Sequence, residues 1–179
     1  MSVCPVLPWP HPMLAMPSGK VEKFDAHIAK ICRDLFDTAQ AAGAPMMSAV
    51  QIGARAQIVY IGKELAGQQL ILVNPVIEDK SLITQHHKES CASTPGIVID
   101  MQRAASVTVA AKNERGDEFA FKADGMFAQA IQHEMNHLEG KTIIDCSKRS
   151  KRWFYRERLA KYGGAKGHVL DYRELRDAV

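Results

Sequence analysis

No apolar run in this chain approaches the length of a membrane-spanning helix; the stretch from Gln69 to Val73 is far too short. The N-terminus shows neither a basic leader nor an apolar signal core, and Pro5, Pro8, Pro10 and Pro12 interrupt it, so a cytoplasmic location is expected. Cysteine is scarce. Cys4, Cys32, Cys91 and Cys146 form no C-x-x-C pair and no dense pattern, which argues against a disulfide scaffold and suits reduced thiols. Excess charge is small as well, at +3, and gives no reason by itself to expect nucleic acid; no DNA partner and no membrane partner are expected. There is no P-loop and no G-x-G-x-x-G after a strand, so nothing specifies a nucleotide. Repeats and interdomain linkers are also missing.

What is present is enough for a core: 179 residues, of which 46% are apolar. One domain is expected over residues 1–162, followed by a charged tail at 163–179. Residues 1–20 are proline-rich and are expected to lie extended over the surface. Phe24, Ile28, Ile31, Leu35, Phe36 and Ala39 fall at helical spacing, and Gly43 and Pro45 stop that helix near Ala42. Short strands are expected at 57–61, 69–74, 76–78, 97–101 and 106–111, with a turn at 62–67. A further strand is possible at 81–88, before a loop at 89–96. Asn113 to Asp117 reads as a hairpin turn, with a return strand at 118–122. A second long helix spans about 124–138 and ends at Gly140, and a basic third helix covers 147–162. Several strands followed by a helix indicate an α+β fold.

The second helix carries Gln132-His133-Glu134-Met135-Asn136-His137, an H-E-x-x-H pattern. Residues four apart share a helix face, so His133 and His137 can grip one metal ion, with Glu134 beside them to take a proton from water. The competing interpretation is a helix with two unrelated histidines. A catalytic divalent site needs a third protein ligand and an open position. The candidates are Cys91, His86, His87 and Glu139. Cys91 sits among small residues in Glu89-Ser90-Cys91-Ala92-Ser93, where it is either a ligand or a buried inert thiol; His86 and His87 fit an exposed strand.

The chain resembles the peptide deformylase family from about Val6 to Tyr162. That family carries, in order, a G-x-G-x-A-A-x-Q stretch, an E-G-C-x-S loop and Q-H-E-x-x-H. Here they stand as Ala44-Pro45-Met46-Met47-Ser48-Ala49-Val50-Gln51, then Glu89 to Ser93, then Gln132 to His137. Phe24-Asp25, Gln51-Ile52-Gly53, Asn74-Pro75, Arg103 and Ala123-Asp124-Gly125 match around them. The resemblance implies short antiparallel or mixed sheets packed around a central helix that bears the metal motif, with N- and C-terminal helices. It implies that Cys91, His133 and His137 bind one divalent ion, Fe(II) in the cell, with Zn, Ni or Co possible, and that Glu134 is the general acid/base. It also implies that Gln51 and the Ala92 N–H are oxyanion donors. Glu89 and Arg103 are expected to form an ion pair that supports the cysteine loop. The implied activity is removal of the formyl group from N-formylmethionyl peptides of nascent proteins, by a monomer.

Several substrate-facing positions depart from the family pattern. Ala44 and Met46 replace both glycines of the first motif, and Ser48 replaces its first alanine. Ser90 replaces a glycine, Ala92 a leucine, and Gln129 stands where an apolar residue lines the pocket. With Ala130, the residues Ala44, Met46 and Gln129 form the expected substrate pocket, narrowed by Met46 and made more polar by Gln129. Two alternatives to deformylation of formyl-methionine follow: an amidase for another small N-acyl compound, and a metal-binding protein without turnover. The basic third helix, with Lys148, Arg149, Lys151 and Arg152 beside Trp153, Phe154 and Tyr155, is either a solvated helix pinned by one or two aromatics or a ribosome contact.

Overall fold

The computed structural model describes residues 2–161; Met1, Tyr162 and the expected tail at 163–179 lie outside the described residues. The first long helix, α1 (Ala26–Ala42), begins where the Asp25 carboxylate accepts hydrogen bonds from the His27 and Ile28 N–H groups, a side-chain N-cap. It ends at Gly43, whose φ of 62° is the left-handed conformation that glycine adopts without a Cβ clash. Its inner face buries Ile28, Cys32, Leu35, Ala39 and Ala42.

Five strands form one antiparallel sheet in the order β1 (Met46–Ser48), β2 (Ile58–Ile61), β3 (Leu70–Lys80), β6 (Ser106–Lys112) and β7 (Glu118–Asp124). The strands β4 (Thr84–Ser90) and β5 (Val98–Ala104) form a separate antiparallel hairpin. The stretches expected as two strands at 69–74 and 76–78 are one strand, β3. Its register shifts between Val73 and Val76, where Asn74 has φ 51°. An asparagine tolerates that conformation, and here its side-chain amide pairs with the Val21 N–H and C=O at 2.8 Å each. The possible strand at 81–88 forms as β4 and runs into the region expected as a loop, carrying Glu89 and Ser90 in regular pairing. The turn expected at 62–67 contains a single helical turn, α2 (Lys63–Ala66).

The N-terminal segment is more than a surface covering. Leu14, in a 3-10 turn at Pro12–Ala15, is buried, and so is Val6. The Leu7 N–H donates to the Gln51 carbonyl and the Trp9 N–H to the Ser93 carbonyl, both at 2.7 Å. The metal-motif helix is α3 (Gly125–Leu138). A single turn, α4 (Ile143–Cys146), and the basic helix α5 (Arg149–Lys161) follow. Leu159 and Tyr155 anchor α5, while Trp153 and Phe154 are exposed; the aromatic pin is Tyr155, and it acts together with an aliphatic residue.

Three buried clusters result. One lies between α1 and the start of the sheet. A second lies between α3 and the sheet, where Ile131, Ala128 and Leu138 meet Val59, Leu72 and Val109. The third joins Cys91 to the β5 residues Ile99 and Met101, to α4 and to Leu159. Among the described residues no helix is long and apolar enough to cross a membrane.

Candidate metal centre

Two histidines four apart on α3 point to the same side, and both are buried, His133 at 3% exposure and His137 at 0%. Cys91, just beyond β4, comes to the same place from a different cluster. The ligand atoms of Cys91, His133 and His137 lie within 4.8 Å of one another, with the Cys91 Sγ 3.3 Å from the His137 Nε2. His86, His87 and Glu139 are not part of this group. His86 pairs with Asp100 on the exposed face of the hairpin, and Glu139 caps α3 and pairs with Lys141.

The donor set fits a divalent ion. His133 turns its Nδ1 to the Glu89 carboxylate at 3.0 Å, which leaves the Nε2 as the nitrogen facing the cluster. Burial opposes a thiolate at Cys91, but the attraction of His137 and hydrogen bonds from His133 and His137 hold the group well below the ordinary thiol range. Burial equally opposes a charged His133, yet hydrogen bonds with Cys91 and Glu89 raise it well above the usual imidazole value. The Cys91 thiolate is the ligand state a divalent ion requires, and His133 would give up its proton to bind one.

Support comes from both strands of the hairpin. Arg103 on β5 donates to the two Glu89 oxygens at 2.8 and 2.9 Å, and its remaining Nη1 donates to Asn136 of α3 at 2.6 Å. Burial raises the Glu89 carboxyl, but these hydrogen bonds and the His133 contact outweigh it and bring the group down to about 2. Gln132, between the ligands and the sheet side of α3, spends its amide on the Ala104 N–H and C=O and on the Ala128 carbonyl. It fastens α3 to the end of β5.

Glu134 is buried beside the ligands, and burial pushes its carboxyl up. One of its oxygens, Oε2, accepts a hydrogen bond from the Ser48 hydroxyl on β1. Ser48 also donates its backbone N–H to the Gln51 Oε1 at 2.9 Å. That bond aims the Gln51 Nε2 at Ser93 Oγ (3.1 Å) and Cys91 Sγ (3.5 Å). Half-buried Ala92 follows the cysteine and packs on the α1 cluster. The part played by Ser48 was not legible in the sequence, where it stood out only as a substituted alanine.

A cavity of ≈ 10 Å³ lies against Gln51, Cys91, Ala92, His133 and Glu134, and Ala44 and Met46 also line it. That is about the room one water needs. A second cavity, of ≈ 110 Å³, lies beyond Met46 and is lined by Gln129 and Ala130 of α3 together with Met126, Leu65 and Lys88. The four residues expected to form the substrate pocket therefore divide. Ala44 borders the small cavity, Gln129 and Ala130 the large one, and Met46 lines both, as do Pro45 and Ser90.

Comparison with known proteins agrees with this geometry. The family profile "Polypeptide deformylase" matches residues 3–153. A peptide deformylase of Acinetobacter baumannii is 32% identical over 162 residues, covering 90% of this chain and 92% of that relative. The crystal structure of peptide deformylase from Ehrlichia chaffeensis superposes with a TM-score of 0.84 at 31% identity, over 90% of this chain and 97% of that one. The same enzyme solved in complex with actinonin gives 0.83 at 32% identity, over 90% and 98%.

Proposed function

The chain belongs to the polypeptide deformylase family, and we propose that Cys91, His133, His137 and Glu134 carry that family's hydrolysis of N-formylated peptides. The observation that supports these roles best is the convergence of three buried ligand atoms within 4.8 Å, with the Glu134 carboxyl buried alongside. The net reaction takes a formamide and water to formate and a protonated N-terminal amine. A divalent ion held by the three ligands supplies a Lewis acid and lowers the pKa of water toward neutrality. We assign Fe(II) to that position; a thiolate–imidazole set accommodates Zn, Ni and Co as well.

The residues divide the remaining work. Glu134 takes the proton of the attacking water on Oε1, because Ser48 holds Oε2. It then gives that proton to the departing peptide nitrogen. Gln51 Nε2 and the Ala92 N–H donate to the oxygen of the formyl group as negative charge grows there. The Glu89–Arg103 pair, through His133, fixes the ring orientation.

Glu134→Ala is expected to lower kcat/KM on formyl-Met-Ala-Ser by about 10²–10⁴-fold. Its metal content should match that of the wild type, measured on anaerobically prepared protein. Turnover at the wild-type rate would remove Glu134 from the mechanism. A second reading, an amidase for another N-acyl compound, draws support from Met46, which replaces a glycine of the family pattern and lines both cavities. It would be favoured if wild-type protein releases acid from other acylated amines and leaves formyl-Met-Ala-Ser intact.

We also place the protein in the cytoplasm as a monomer, with residues 1–162 forming one catalytic domain. Its basic helix α5 is proposed to face ribosomal RNA, since Trp153 and Phe154 are exposed among arginines and lysines. Co-sedimentation with ribosomes should weaken steeply with salt, and it should vanish when Lys148, Arg149, Lys151 and Arg152 are replaced. Binding that persists in that variant would exclude this contact.

A further inference from the structure

The cavity beyond Met46 contains one group that deformylation does not use. Gln129 is nine-tenths buried, at 9% exposure, and its side chain lines the cavity. Its amide makes no hydrogen bond to protein among the described residues. Three residues further along α3 Gln132 shows the contrast: about equally buried, it has every polar atom engaged with backbone. The Gln129 amide is not among the fully buried unpartnered atoms, so it opens to the cavity and is available to a ligand that brings a polar partner. Lys88 on β4, whose side chain is exposed, also borders this cavity. Of the carboxylates nearest to it, Glu89 is engaged by Arg103 and His133, and Asp100, its register partner on β5, pairs with His86. Pro45, Met46, Leu65, Met126 and Ala130 supply the apolar part of the lining, and Glu89 and Ser90 of β4 complete it. The cavity shares Pro45, Met46 and Ser90 with the small cavity at the ligands, so a substrate whose formyl group reaches the ligands would have its first side chain beside this cavity.

We propose that Gln129 and Lys88 make this cavity a site for a first side chain that ends in a carboxamide or carboxylate at about the length of methionine. Such a side chain lays its methylenes on the apolar lining and brings its polar end to the Gln129 amide. A carboxylate gains the Lys88 ammonium as well. The proposal rests on the deformylase reading only for the pose of the formyl group. It leaves formyl-methionyl peptides as substrates and adds formyl-glutamyl and formyl-glutaminyl peptides to them.

The test compares formyl-Gln-Ala-Ser and formyl-Glu-Ala-Ser with formyl-Met-Ala-Ser, in the wild type and in Gln129→Met and Gln129→Leu, each checked for an intact thermal transition. The ratio of kcat/KM for each polar peptide to that for the methionyl peptide is expected to fall about tenfold in both variants, the worth of one well-placed hydrogen bond. Lys88→Met should lower the ratio for the glutamyl peptide alone. Ratios that stay within about twofold in the Gln129 variants would overturn the proposal, since one hydrogen bond is worth more. The unformylated tripeptides Gln-Ala-Ser, Glu-Ala-Ser and Met-Ala-Ser, titrated calorimetrically, give the same ratios without turnover. If no formyl peptide is hydrolysed, the deformylase reading fails, and these binding ratios still decide for or against the pocket.

Discussion

Ser48 shows what a single replaced side chain can do at a buried site. In sequence it is one small residue in place of another, two positions after Met46. In the fold its hydroxyl reaches Glu134 and its backbone N–H reaches Gln51, so one residue orients both the proposed base and a proposed oxyanion donor. Ser48→Ala removes the first contact and keeps the second. A carboxylate free to rotate spends less time aimed at the reacting water. The expected result is a fall in kcat of about tenfold with KM unchanged within about twofold, as for a hydrogen bond to a charged group. Steady-state kinetics on formyl-Met-Ala-Ser decide it, and an unchanged kcat would reduce Ser48 to packing. His137 contrasts with its partner His133: its Nδ1 is buried without a protein partner among the described residues, and its ring leans on that of His133 with centroids 5.1 Å apart.

At the scale of elements, the β4–β5 hairpin is the device that positions the site. Alternation along β4 puts Glu89 inward while His86 and Lys88 face outward, and Arg103 on β5 meets Glu89 from the same face. The pair is buried, with side-chain exposures of 9% and 0%. Burying two charges stabilises little on balance, but removing one leaves the other stranded. Glu89→Ala is therefore expected to destabilise the protein by roughly 3–5 kcal/mol, read from urea unfolding. It also leaves His133 without its acceptor, so metal affinity should drop about 10–100-fold in a competition titration. Loss of affinity without loss of stability would mean that Arg103 finds another partner, with Asn136, already 2.6 Å away, the nearest choice. The ion pair was expected from the sequence; the third arm, to Asn136 on α3, was not.

For the whole molecule, the notable fact is where the centre lies. Cys91 belongs to the cluster around β5, α4 and α5, Ala92 leans on the α1 cluster, and Met46 belongs to the cluster under α3. An ion held by Cys91 and the two histidines thus ties α3 to the Cys91 cluster. Removing it with a chelator should lower the melting temperature, and returning a divalent ion at about a hundredfold above its dissociation constant should restore about 2.7 kcal/mol of stability. Scanning calorimetry with and without metal checks this, and identical transitions would mean the ligands hold their positions unaided.

The sequence by itself determined the parts that depend on local geometry. Helix periodicity indicated α1 and α3, the stops at Gly43 and Gly140 bounded their C-terminal ends, and the four-residue spacing put His133 and His137 on one face, because these follow from bond angles over a few residues. Ordered motifs also marked Cys91, Gln51, Glu89 and Arg103. What only the tertiary structure decided is every relation across long loops. Ser48 meets Glu134 from 86 positions away and Cys91 meets His137 from 46. The single bent strand β3, the inward-packed N-terminal segment and the unpartnered Gln129 amide belong to the same class. Such contacts are set by how sheet, hairpin and helix pack together, and no local propensity encodes which side chains that packing brings face to face.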